Sequence, residues 1–466
     1  MIVVTHGLNK GAAGAVFIVT SVFVVVETVV RLGTDVGVVH FVAGRRARDN
    51  GGVTDVIWAA FLPLIPAMVL GAAVVGVLTP VVIHSLGAQG GVDHVGLVAV
   101  VTALAVPVAS TYDFMTATTR GLGSSRPTVW IERILRPVLQ TLGVAAVAAA
   151  GANASLVVMA WVIPYAITAP LMALWLRALL RAGQIPLRSE HWRAVFAEVW
   201  RFTLPRSMTG VLQILLQRLD IIIVGALLGG PAAAVYTGAT RFVVVGQLGN
   251  QAISYVFQPQ LAGLLGRGKI EEARELFRVS TAWIVGLNAP LYLTVCTTAP
   301  LLVKLLGPRY QAGVSSMVIV TAAALVGSSC GLVDFVLLTM GRTSWNLANT
   351  VVSLAVNLAI DLIFIPHIGI VAAAIGWAAA IVLNNLVPLV QVHRAFGFSP
   401  ISSLWVRMIA VNGVMFGVLP GIVLVVVGPK LPALVGVIAI GAVGYLLVIW
   451  RWRDPLGLSQ LVVGRK

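Results

Sequence analysis

The chain is a succession of long apolar runs separated by short polar connections, and nearly every run is long enough to cross a bilayer. A hydrocarbon core about 30 Å thick needs roughly 20 apolar residues at 1.5 Å each. Thirteen helical spans are predicted on that basis, at 14–41, 56–83, 93–118, 128–150, 154–180, 206–228, 231–262, 275–304, 311–339, 344–365, 367–392, 403–427 and 431–450. Several exceed the minimum, so tilt or kinks are expected. Pro63, Pro66 and Pro80 punctuate the second span, and Pro164 and Pro170 the fifth. The longest connection, from about Arg181 to Arg206, is amphipathic around 191–200 and lies mid-chain. The pattern predicts an all-α polytopic membrane protein.

Charge orients it. Of 31 Lys and Arg residues, 22 fall in connections on one side of the spans, among them Arg45, Arg46, Arg181, Arg274 and Arg451. The other side holds only Lys10, Lys304, Arg309 and Lys430. Short cytoplasmic loops attract Lys and Arg. The expected location is therefore a bacterial cytoplasmic (inner) membrane, with the 181–206 connection and the C-terminus in the cytoplasm. The +15 net charge would suggest nucleic acid in a soluble protein. Here it is mostly this bias, and the basic loops would rest on anionic headgroups. Cys296 and Cys330 both lie inside spans, so no disulfide framework is indicated. The histidines are scattered without metal-ligand spacing, no phosphate loop follows a strand, and no cofactor is expected.

The two halves resemble each other at an offset of 219 residues. Gly11–Phe17 aligns with Gly230–Tyr236, 42–44 aligns with 261–263, and basic loops follow both. Asp113-Phe114 and Asp334-Phe335 match at nearly the same offset. Parallel repeats of this kind build transporters whose substrate is handled between lobes. The predicted organisation is an N-terminal five-span bundle at 1–183, a cytoplasmic linker at 184–205, a six-span bundle at 206–396, and two trailing spans with a tail at 397–466. A whole span precedes Gly230 but none precedes Gly11, so the reading frame is expected to continue upstream of Met1.

Leu216–Arg241 (LQRLDIIIVGALLGGPAAAVYTGATR) resembles the seventh-to-eighth helix junction of Wzx-type polysaccharide flippases in the MATE/MOP superfamily. Asn346–Leu386, containing IFIPHIGIVAAAIGWAAAIVLNN, is similar to their eleventh-to-twelfth helix hairpin, and Leu8–Phe17 to the segment after their first helix. The resemblance implies two pseudo-symmetric helical bundles around a central cavity. It also implies transfer of a polyprenyl-diphosphate-linked oligosaccharide to the outer leaflet by alternating access. The partners it implies are an anionic lipid-linked glycan, membrane lipids and a coupling H⁺ or Na⁺.

Charges inside a bilayer are costly, so each is a functional candidate. Arg218 lies near the midpoint of its span with Asp220 close by, and Arg241 lies about 15 Å inside the next span. Arg can bind phosphate oxygens bidentately, which makes both candidate substrate residues; an Arg218–Asp220 pair that locks helices is the alternative. Arg31 is flanked one turn away by Glu27 and Asp35, so a self-satisfied i, i+4 ladder competes with a substrate role there. Arg133 and Arg136 are further substrate candidates, with Glu132 placed to pair with Arg136. Asp113, Asp334, Asp220 and Glu27 are candidates for ion coupling or gating. A lipid II flippase would share a cationic cavity, while a multidrug antiporter of the superfamily would be expected to line its cavity with acids and aromatics. A glycan polymerase or ligase would need a sizeable outer loop, which the sequence lacks, so no enzyme is expected.

Overall fold

The computed structural model describes residues 8–46, 52–85, 94–151, 153–186, 191–428 and 430–452, and among them every regular element is helical. The chain divides into two compact units, Met1–Ala234 and Val235–Lys466. The first contains α1 (Lys10–Val30), α2 (Thr34–Arg46), α3 (Val53–Phe61), α4 (Leu64–Ser85), α5 (Val95–Gly121), a π turn at Thr128–Leu135, α6 (Arg136–Ala149), α7 (Ala154–Ala182) and α8 (Trp192–Leu228). Then come α9 (Gly230–Gly266), α10 (Ile270–Leu305), α11 (Val314–Ser329), α12 (Val333–Thr339), α13 (Thr343–Ile368) and α14 (Ile370–Phe396). The chain closes with α15 (Ser403–Asn412), a second π turn at Gly413–Val418, α16 (Leu419–Val426) and α17 (Leu431–Arg451). The upstream extension expected from the repeat lies outside the described residues.

Eleven described helical stretches, some of them made of two consecutive helices, are long and apolar enough to cross a membrane. Two predicted spans are not among them. The one at 128–150 is divided between the first π turn and α6. The one at 231–262 is the 37-residue α9, whose apolar run is interrupted by Gln247, Asn250, Gln251, Gln258 and Gln260. Helix starts follow the sequence: Asn9 Oδ1 accepts from the Ala12 amide at 2.8 Å, and the Ser402 hydroxyl accepts from the Trp405 amide at 3.1 Å, both N-caps. Hydroxyls inside spans bond back to their own helices. Ser21 donates to the Phe17 carbonyl at 2.7 Å and Thr168 to the Pro164 carbonyl at 2.7 Å, which satisfies them without water.

The first predicted span, 14–41, is broken. Leu32 and Gly33 take φ of 49° and 73° between α1 and α2. A Cβ on Gly33 would lie 2.7 Å from Ser207 Cβ, so both its backbone and its neighbour demand glycine. That neighbour belongs to α8, which runs along α1, α2 and α3. Trp200 Nε1 donates to the Ala59 carbonyl at 2.9 Å, the His191 amide donates to Asp55 Oδ1 at 3.0 Å, and Arg45 pairs with Glu198 at 3.4 Å. The first compact unit thus runs through the predicted linker at 184–205, because α8, which begins inside it at Trp192, packs back on the opening helices.

In the second unit the Tyr445 hydroxyl on α17 donates to the Gly286 carbonyl at 2.6 Å, which docks the trailing helices on α10. Helices α13 and α14 share a polar seam. Asn349 and Gln391 exchange amide bonds at 2.8 and 3.0 Å, and Ser353, Asn357 and Asp361 are buried further along the same face of α13.

Among the described glycines, the closest approach to another backbone is Gly14 on Gly230, where a Cβ would meet the Gly230 carbonyl oxygen at 1.8 Å. Gly14→Val is therefore expected to lower the unfolding midpoint in detergent sharply, since neither backbone can yield. Gly11→Val, whose Cβ has its nearest neighbour at 3.5 Å, is expected to shift it far less. Equal midpoints for the two variants would refute this close packing.

Candidate functional site

Ionisable and aromatic side chains converge inside the first unit from four helices and the first π turn. The last turn of α1 brings Glu27, and the break after it brings Arg31. Helix α5 brings Tyr112 and Asp113, the π turn Glu132, the start of α6 Arg136, and α7 Tyr165. Arg31 Nε lies 3.0 Å from Glu27 Oε1 and its Nη1 lies 3.5 Å from Asp113 Oδ2, while Nη2 donates to the Thr28 hydroxyl at 3.0 Å. Glu27 is buried. The expected ladder is thus only half formed. Asp35 starts α2 beyond the break, which turns it away from the α1 register, and Asp113 from α5 takes its place.

Arg136 has a different environment. Its guanidinium carbon lies 4.8 Å from the Tyr165 ring centroid and 5.4 Å from that of Tyr112. The two rings meet edge-on at 6.0 Å, and Phe23 and Trp161 pack on Tyr165 at 6.0 and 6.3 Å. A cation over aromatic faces is attracted by the ring quadrupoles. The expected Glu132–Arg136 ion pair is not formed. The i→i+5 bonding of the π turn rotates the two positions off a common face. Both Arg136 Nε and Glu132 Oε2 are buried with no hydrogen-bond partner among the described residues. Such π turns recur at functional sites.

The other candidates are dispersed. Arg133 is exposed on the π turn. Arg218 is half-buried on α8 and makes no hydrogen bond or ion pair with the described residues. Asp220 is buried, but residues two apart on a helix do not face each other, and the Arg218–Asp220 lock is not formed. Arg241 belongs to the second unit, half-buried on α9. Asp334 lies on α12 with Oδ1 buried and without a hydrogen-bond partner among the described residues. At the repeat offset, Asn250 stands where Arg31 does. Asn288 donates to Asn250 Oδ1 and to the Ser328 hydroxyl, both at 3.3 Å. An amide network has replaced the ion pair there. Among the described residues no cluster of His, Cys, Asp and Glu is built to hold a metal.

Tyr112 and Tyr165 escaped the sequence reading. Their signal was position: tyrosines usually gather at membrane interfaces, whereas these two lie well inside their predicted spans.

The fold is that of the MATE/MOP transporters. It is similar to the lipid II flippase MurJ in an inward closed conformation, with a TM-score of 0.69 and 12% identity over 97% of each chain. It is also similar to an inward-facing multidrug resistance MATE family transporter of the MOP superfamily (TM-score 0.64, 12% identity, 85% of this chain and 93% of that one). A Vibrio cholerae MATE transporter gives a TM-score of 0.58 at 16% identity, covering 87% of this chain and 92% of its own. The chain belongs to the polysaccharide biosynthesis protein family, which it matches over residues 14–315, in agreement with the Wzx-type resemblance of its motifs. No curated protein matches its sequence.

Proposed function

We propose that the protein is a flippase that moves a polyprenyl-diphosphate-linked oligosaccharide from the cytoplasmic to the outer leaflet by alternating access, for cell-surface polysaccharide synthesis. The proposed setting is a bacterial inner membrane with the C-terminus in the cytoplasm. The observation that carries this reading is Arg136, a half-buried guanidinium that lies over two tyrosine faces and forms no ion pair with a carboxylate of the described residues. Aromatic faces fix its position yet leave its N–H groups available, as a diphosphate crossing an apolar barrier requires. Arg218, also without an acid partner, is the second cation of this site. Arg31 shares its charge with two carboxylates, which suits a gate or coupling element better than a phosphate cradle. Two carboxylates on one guanidinium leave one negative charge that a coupling H⁺ or Na⁺ would neutralise. In the second unit Asp334 is the candidate for a similar role. A lipid II flippase is the nearest alternative, since lipid II carries the same diphosphate.

The test is complementation of a flippase-null strain, with membrane expression measured alongside. Arg218→Ala is expected to abolish complementation, and Arg218→Lys to rescue it partly, because Lys keeps the charge without the bidentate fork. Arg218→Ala/Asp220→Ala is expected to remain inactive, since the two do not pair. Full activity of Arg218→Ala would remove it from the site, and recovery in the double variant would make it a helix lock.

A further inference from the structure

The second unit holds a cavity of about 830 Å³ bounded by α10, α11, α14 and α15, within the size range of small-molecule sites. Its walls are apolar, with Leu293, Val326, Leu389 and Ile409 among them, and no acid lines it. One end differs. Arg394, in the last turn of α14, stands there beside His393 and Ser399. Arg394 is exposed and makes no hydrogen bond or ion pair with the described residues. The positive-inside pattern puts this end at the cytoplasmic surface.

The rim around Arg394 is fixed. Arg274 donates twice to the Phe396 carbonyl, from Nε at 3.1 Å and from Nη2 at 2.7 Å. Phe398 is fully buried, edge-on to Phe277 at 5.7 Å. Trp405 Nε1 donates to the Ser329 carbonyl at 3.1 Å, tying α15 to the end of α11. The result is a preformed apolar slot with one uncompensated guanidinium at its mouth.

Apolar walls do not select a ligand in a membrane, because lipid tails are as apolar as the slot. The guanidinium does select, since the cytoplasmic leaflet offers anionic headgroups and Arg holds phosphate oxygens bidentately. We infer that this slot seats one anionic phospholipid of the cytoplasmic leaflet, with an acyl chain in the cavity and the phosphate on Arg394. The inference is independent of the substrate proposed above.

Trp405 lines the cavity and serves as the reporter. The full-length protein is reconstituted in vesicles containing phosphatidylglycerol or phosphatidylcholine with brominated acyl chains. The Trp405 contribution is the difference in quenching between wild type and Trp405→Phe. Brominated phosphatidylglycerol is expected to reach Trp405 with about fivefold preference over phosphatidylcholine, the size expected for one basic residue at an anionic surface. Arg394→Gln should abolish the preference and Arg394→Lys should retain most of it. Equal quenching by the two lipids, or no quenching by either, overturns the proposal. So does a preference that survives Arg394→Gln. Native mass spectrometry of wild type and Arg394→Gln supplies a reading without a Trp variant: co-purified phosphatidylglycerol should fall by a similar factor, and unchanged retention counts against the site.

Discussion

If the proposed lipid-linked glycan is the cargo, Arg136→Ala is expected to cut its translocation by roughly 10–100-fold while the protein still folds. A hydrogen bond to a charged group contributes about 1.5–3 kcal/mol, and each 1.36 kcal/mol is tenfold in rate. The fold should tolerate the change, because Arg136 Nε has no hydrogen-bond partner to lose and the ring contacts contribute only about 0.5–2 kcal/mol. Tyr165→Phe keeps the aromatic face and should transport nearly as wild type. Tyr165→Leu removes the face and should approach Arg136→Ala. The readout is transfer of a fluorescent polyprenyl-diphosphate glycan across proteoliposome membranes, with thermal unfolding of the same preparations as the control. Normal transfer by Arg136→Ala would remove the diphosphate from this cage. Lost transfer accompanied by an equal loss of stability would make Arg136 a packing residue.

Arg31 should behave in the opposite way. Arg31→Met leaves Glu27 and Asp113 facing each other without their guanidinium, and breaking a buried pair in this way costs about 3–5 kcal/mol. The lower end applies here, since the Arg31 side chain retains 25% exposure. The unfolding midpoint should fall, and hydrogen exchange should rise at the junction of α1 and α2. Adding Glu27→Gln and Asp113→Asn removes the unpaired charges together and should recover most of the stability, because groups in one network do not add independently. If the triple variant is stable but transports without its normal ion dependence, the triad couples transport. An Arg31→Met protein of wild-type stability would mean that the three side chains do not form this network in the membrane.

What could be seen in the sequence was whatever depends on periodicity and charge. Apolar runs such as 344–365 and 367–392 became α13 and α14 within a few residues, since a bilayer tolerates only backbone that satisfies itself. The caps at Asn9 and Ser402 are equally local. The Glu27–Arg31 pair needed only one turn of helix. The remaining site geometry depends on backbone irregularities that no run of letters announces. The break at Leu32–Gly33 diverts Asp35 and admits Asp113, and the π turn at 128–135 separates Glu132 from Arg136.

By itself, then, the sequence determined the helical class, the membrane, the charge asymmetry, and the short set of arginines and acids that are costly in a bilayer. These follow from the chain's own hydropathy and spacing. Tertiary structure decided which of those charges meet. It gave Arg31 to Glu27 and Asp113, set Arg136 between two tyrosines from different helices, kept Arg218 apart from Asp220, and packed the start of α9 on α1 through Gly14 and Gly230. It also made the slot at Arg394. Partners so distant in sequence are chosen by how helices pack, and helical breaks reset that packing by rotating every side chain beyond them.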